Sequence, residues 1–393
     1  MRRRIVNKLY KLRSFGYVVI DNDIWFLNCY FNALIKINKL SGKIEVIEKT
    51  PGYNVREKRL YRMVCYVDGK LIFVPGRSES VVSYDIGTGE FSSCYLDVDK
   101  VGERKPYFWN AYVYYNYVYM FPRKAKCIIK YDIVKNTIKY LENSLNKGPN
   151  FLSEESACFV KQFEIIEEKI YIPFEKLNAV AVFDISNENL DIKYLNIKEG
   201  CSTINYVDGY FYLASCNSPV LYRWDMETGR VWSYDFPEEF QAGRSPIFFE
   251  AIKMEDRLIF FPFHCDIIIS FDVNTKRFTI EQRNLEMEEN DAGVTYFIEK
   301  TKGQNHIFLA DVNGLCSINY EGGKLNMSPY FCQDDLYNEK QINNFLLKNS
   351  YFDNYFEGEI VFEEYIDALV NSCEGLRMEK ESPCGKMIFD QLQ

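Results

Sequence analysis

The chain has 393 residues, of which 47% are hydrophobic, 26% charged and 16% aromatic, and its 47 basic and 56 acidic side chains give a formal net charge of -9. That composition excludes disordered, collagen-like and coiled-coil chains. The acidic balance argues against a nucleic-acid binder, whose affinity comes from neutralising phosphate.

The opening Met1-Arg2-Arg3-Arg4-Ile5-Val6-Asn7-Lys8-Leu9 is basic but leads into no apolar run of signal-peptide length. No later stretch approaches the roughly 18 apolar residues of a membrane helix, so no membrane span is expected and a cytoplasmic location is. The 12 cysteines form no C-x-x-C pair and lie mostly inside apolar runs such as Met63-Val64-Cys65-Tyr66-Val67, as buried thiols of a reducing compartment would. The abundance of Lys, Ile, Asn and Tyr resembles the proteins of AT-rich bacterial genomes.

From residue 15 onward a pattern of short strands recurs. A weak first copy, Ile24-Trp25-Phe26-Leu27 with Lys36-Ile37-Asn38, precedes a clear one, Tyr66-Val67-Asp68-Gly69-Lys70-Leu71-Ile72-Phe73-Val74-Pro75 with Ser83-Tyr84-Asp85-Ile86-Gly87-Thr88-Gly89. The pattern returns as Val118 to Pro122 with Lys130-Tyr131-Asp132, Ile170 to Pro173 with Val182-Phe183-Asp184, Phe211 to Ala214 with Arg223-Trp224-Asp225, and Leu258 to Pro262 with Ser270-Phe271-Asp272. A weaker last copy joins Ile307 to Ala310 with Ser317-Ile318-Asn319. The anchors 38, 85, 132, 184, 225, 272 and 319 are 47, 47, 52, 41, 47 and 47 residues apart.

Four short strands in a unit of this length, without helical periodicity, predict the blade of a β-propeller. Asp68-Gly69 and Asp208-Gly209 are two-residue hairpin signals, because the turn needs positive φ at both central positions. The recurrent Asp85, Asp132, Asp184, Asp225 and Asp272 read as turn residues whose carboxylates accept backbone N–H groups. The 30 Tyr and 30 Phe should fill the wedges between blades.

Beyond about residue 329 the strand pattern stops. Asn338 to Asn349 places Ile342, Phe345 and Leu346 on one side, and Glu359 to Val370 sets Phe362, Tyr365, Ile366, Leu369 and Val370 at helical spacing. A last amphipathic piece follows Gly385. The expected division is therefore an all-β propeller over 1–328, with about seven four-stranded blades (six if the ends are incomplete), and a helical extension over 329–393. That extension either packs on the ring or offers a helix-mediated contact through 338–370.

The hydrophobic, Tyr/Phe-Asp and Thr-Gly pattern over about residues 15 to 328 resembles the kelch-like and WD40-like propeller superfamilies. It resembles them in fold alone: the kelch double glycine is replaced by Phe-Pro or Leu-Ala, and a Trp-Asp pair occurs once, at Trp224-Asp225.

In such a blade the turns from strand one to two and from three to four share one face. The loops from two to three and from blade to blade share the other. The second face carries the longer and more varied segments and is the expected binding surface. It receives Arg56, Arg59, Arg77, Glu79, Arg104, Trp109, Arg123, Lys124, Glu154, Glu175, Arg244 and His264. Arginines and lysines gather there beside Trp109 on an otherwise acidic chain, a combination suited to a protein or a polar, anionic ligand.

Catalytic signatures are missing from the sequence. His264 and His306 fall on opposite faces, no P-loop or G-x-G-x-x-G occurs, and no Ser or Cys has an identifiable base beside it, so no catalytic residue, cofactor or metal is expected. The sequence points to a non-enzymatic binding or scaffold protein. The alternative is a carbohydrate-active or other small-molecule enzyme with carboxylates in the central pocket.

Overall fold

The computed structural model describes residues 12, 14–102, 106–141, 159–240, 245–282, 295–301, 304–311, 314–321, 324–329 and 335–350. Its strands form seven four-stranded sheets, over 18–48, 61–95, 107–141, 164–194, 205–235, 248–282 and 295–329. In each sheet the strands follow chain order and every neighbour is antiparallel, the meander of a propeller blade. Seven is the number of copies counted in the sequence.

First strands of neighbouring blades approach one another, as Tyr61–Val67 does with Tyr107–Tyr114 and Asn205–Val207 with Phe248–Met254. Fourth strands are the most exposed, Asn189–Tyr194 for example. The first strand is thus the inner one and the fourth the outer one. The core lies between blades: Tyr119 and Phe121 of blade three meet Ile170, Phe174 and Phe183 of blade four, and Phe236 of blade five meets Phe248, Phe260 and Phe278 of blade six. Aromatic rings fill these wedges because two twisted sheets diverge outward and leave a gap that small aliphatic side chains cannot span.

The hairpins explain the repeat. In the turn from strand three to four, Asp85 Oδ1 accepts the N–H groups of Gly87 and Thr88. Asp132, Asp225 and Asp272 do the same for the residues two and three places on, and in blade one Asn38 takes the role. Four residues after each of these, and after Asp184, which accepts the Ser186 N–H, stands a left-handed residue that closes the turn: Gly42, Gly89, Asn136, Glu188, Gly229 and Lys276. The recurrent aspartates are structural, as their spacing implied.

These turn bonds hold the carboxyls of Asp184, Asp225 and Asp272 below the usual 3.8, chiefly through the Ser186 hydroxyl, the Thr228 hydroxyl and the Thr275 N–H respectively. Because the folded values are depressed, their stabilisation is full above the unfolded value and is lost as pH falls through the folded ones. Melting temperature should therefore drop steadily below about pH 4, and the combined Asp184→Ala, Asp225→Ala, Asp272→Ala variant should melt lower at neutral pH with a flatter acid limb. Thermal melts across the acid range check both slopes.

The helix Asp335–Ser350 packs on the outer strand of blade one, Ile44–Glu48. Ile342 is buried and Phe345 and Leu346 are half-buried against Phe31, Ile35 and Ile44. The apolar stripe read at 342, 345 and 346 faces the ring, one of the two placements expected for the extension. Residues 359–370 and the piece after Gly385 lie outside the described residues. None of the described helices is long and apolar enough to cross a membrane.

Candidate functional site

First strands begin, and second strands end, on the face of the interblade and two-to-three loops. There the inner ends of blades three to six converge on a shallow cleft lined by Trp109, Arg123, Val160, Lys161, Glu175, Ser202, Pro246 and Phe248. Its volume, counted to the open mouth, is about 250 Å³, and its enclosed part has room for about one water molecule. Trp109, Arg123 and Glu175 belong to the set expected from sequence.

Arg123 follows Pro122 in the second strand of blade three, Tyr117–Lys124. Its Nη2 donates to Glu175 Oε2 at 2.7 Å, and its guanidinium lies 4.7 Å from the Trp109 ring centroid. Trp109 stacks on Tyr107 at 5.4 Å and tilts against Phe15 at 6.1 Å. Lys161 lies across the cleft and pairs with Glu250 at 3.3 Å; burial lowers its pKa while the Glu250 carboxylate opposes that shift. Each of the two cleft-side carboxylates thus sits on a cation.

Arg62, which the sequence reading did not select, is central. It projects from the first strand of blade two, is 5% exposed, and places its guanidinium 4.1 Å from the Phe15 ring, 4.4 Å from Tyr107 and 5.4 Å from Trp109. Gly76 makes room for it, since a Cβ there would come within 2.7 Å of Arg62 Cγ. Burial pulls the Arg62 pKa down to about 10, and the charges of Arg59 and Arg123 act in the same direction. Burial raises the Tyr107 pKa, against the positive charge of Arg62, Arg123, Arg59 and Arg77. The positive charges of four arginines thus reach one phenol, and Arg62 touches its ring.

Beside the cleft a set of buried amides ties the inner strands together. Asn110 Nδ2 donates to the Val160 carbonyl at 2.7 Å. Gln162 Nε2 donates to the carbonyls of Ile204 and Ala251, both at 2.7 Å, and its Oε1 accepts the Ala251 N–H at 2.8 Å. Asn205 Nδ2 donates to the Ala251 carbonyl at 3.0 Å. Blades three to six are thereby joined at the axis by bonds that hold the cleft wall rigid.

Of the remaining expected residues, Arg59 and Arg77 lie close enough to act on Tyr107, with Arg77 exposed. His264 Nδ1 donates to the carbonyl of the cleft residue Pro246 at 3.0 Å, so the ring braces that segment. Arg56 and Glu79 are not among the cleft residues: Arg56 lies in the loop before blade two, where its N–H bonds Asn54 Oδ1, and Glu79 lies in the two-to-three loop of blade two, where its N–H bonds the Tyr53 hydroxyl. Arg104, Glu154 and Arg244 lie outside the described residues, as does the side chain of Lys124. His306 lies near the hairpin end of its strand, Gln304–Asp311, on the face away from His264. Among the described residues no group of three His, Cys, Asp or Glu could hold a metal ion.

No family model matches the chain, and no curated protein matches it in sequence. Solved structures do resemble it. Virginiamycin B lyase from Staphylococcus aureus aligns with a TM-score of 0.55 at 13% identity, over 75% of this chain and 90% of that one. A chain of the mitotic checkpoint complex gives 0.52 at 11%, over 82% and 86%, and U3-55K gives 0.51 at 11%, over 76% and 88%. At these identities the resemblance is one of fold, and that fold is the β-propeller.

Proposed function

We propose that the chain is a non-enzymatic binding protein of the kelch-like or WD40-like kind, which uses the loop face of its propeller to hold a protein partner. The observation that carries this reading is the convergence of Trp109, Arg123 and the arginines around Tyr107 on one shallow, aromatic and basic surface. A rigid ring loses little entropy when such a surface binds, and Trp and Arg are the side chains that most often dominate interface energies. The neighbour from the mitotic checkpoint complex, by its name part of a protein assembly, supports this use of the fold. A cytoplasmic site of action fits the thiols: Cys29, Cys65, Cys127, Cys201, Cys216 and Cys265 are buried, and burial raises the pKa of Cys65 and Cys265 to about 12, which leaves them unreactive.

The test is affinity capture with the full chain, followed by binding measurements on the purified partner. The exposed Arg77→Glu should raise the Kd about tenfold, or ~1.4 kcal/mol, with the melting temperature unchanged and with a stronger effect at low salt. An unchanged Kd would move the site off this face.

A further inference from the structure

We propose that the arginine cluster at the axial end of the loop face is an oxyanion site that receives a doubly charged acidic group on a peptide segment, either two adjacent carboxylates or one phosphorylated side chain. The proposal rests on the loop face being the binding surface and assigns the chemistry that surface selects.

Arg62 supplies the first argument. It is almost wholly buried, its Nε makes no hydrogen bond among the described residues, and no carboxylate there forms an ion pair with it. Removing a guanidinium from water without an anion is costly, and three aromatic faces recover only part of that cost. The electrostatic influences on Arg62 include two further arginines and no carboxylate.

Charge balance supplies the second. Glu175 neutralises Arg123 and Glu250 neutralises Lys161, while Arg62 and the exposed Arg77 have no ion pair among the described residues. Two positive charges thus remain beside Tyr107 on a chain whose net charge is -9. Guanidinium groups present planar forks that match carboxylate and phosphate oxygens in pairs, which a lysine cluster would not do.

Shape supplies the third. The enclosed part of the cleft is too small for a whole metabolite, so an acidic group would sit in its open mouth, where Trp109, Val160, Pro246 and Phe248 provide an apolar wall for a side chain next to it. A small anionic head with apolar flanks is what an acidic peptide presents.

The test uses fluorescein-labelled peptides with the full chain: one carrying two adjacent glutamates beside a leucine, one carrying phosphoserine in their place, and one carrying two lysines. Anisotropy and tryptophan fluorescence are read with inorganic phosphate as competitor. At least one acidic peptide should bind, the lysine peptide should not, phosphate should displace the bound peptide, and Arg77→Gln should weaken binding about tenfold. Trp109→Ala should weaken binding of the acidic peptide and remove the fluorescence change. Arg62→Leu should abolish binding; because that residue is buried, its circular dichroism and melting curve are compared with wild type, and Arg77→Gln carries the conclusion if it misfolds. Glutamate binding assigns the carboxylate source, phosphoserine binding the phosphorylated one, and either supports the site. Failure of both acidic peptides, or equal binding of the lysine peptide, overturns it. In that event the loop-face reading still stands if a captured partner is weakened by Arg77→Glu.

Discussion

Gln162→Leu is expected to destabilise the ring by about 2–5 kcal/mol, because it leaves buried polar groups without partners. The side chain is 7% exposed and makes three hydrogen bonds to the backbones of the next two blades. Leucine has similar volume, so the change removes no packing and isolates the polar contribution. The Ala251 carbonyl keeps Asn205 as a donor, whereas the side-chain partners of the Ile204 carbonyl and the Ala251 N–H are lost. Chemical denaturation should show a lower midpoint at unchanged slope. A loss below about 0.5 kcal/mol would mean that the inner strands hold their register without this amide.

Gly200→Ala should have the second large effect. A Cβ at this position would lie 2.2 Å from the Glu175 carbonyl oxygen and 2.4 Å from that of Phe174, both backbone atoms that cannot rotate away. Gly200 has no left-handed backbone; it is needed because the segment entering blade five runs against the loop after the second strand of blade four, where the Cys201 N–H bonds the Phe174 carbonyl at 3.0 Å. Overpacking against backbone should cost about 3 kcal/mol or more. The displaced loop carries Glu175, so the Arg123 to Glu175 pair should loosen as well. A large loss of stability together with altered peptide binding in Gly200→Ala, set against a smaller loss and unchanged peptide binding in Gly209→Ala, where a Cβ meets nothing within 4 Å and only the left-handed turn is strained, would separate close approach from turn conformation. Equal effects at both sites would contradict this account.

What the sequence made legible was local. An Asp at the end of strand three bonds N–H groups two and three residues away, so its recurrence marks the blade without any tertiary information. Asp68-Gly69 and Asp208-Gly209 announced their hairpins because glycine accepts positive φ freely. Tyr115-Asn116, Glu167-Glu168 and Glu255-Asp256 make the corresponding turns with φ of 51°, 56° and 52° at the first residue, against their own preference, and only the pairing of the flanking strands reveals them.

The site was legible in part for the same reason. Blade topology assigns Trp109, Arg123 and Glu175 to one face, since each lies near a strand end whose direction is known. Arg62 could not be found that way. Within Tyr61-Arg62-Met63 it reads as a solvent-facing strand residue, and its burial depends on Phe15, Tyr107 and Trp109, which lie 45 or more residues away in sequence, apart from the rings' shared stacking. Lys161 and Gln162 are hidden likewise, because their partners come from blades five and six.

The loop face, and not the opposite face or the C-terminal helix, is expected to hold the partner. Hydrogen–deuterium exchange on the full chain, with and without the captured partner, tests it most directly. Slower exchange is expected at 59–62, 106–109, 123–125 and 160–162, with the turns at 85–89 and 225–229 and the helix Asp335–Ser350 unchanged. Protection confined to those turns, or to the helix, would contradict it.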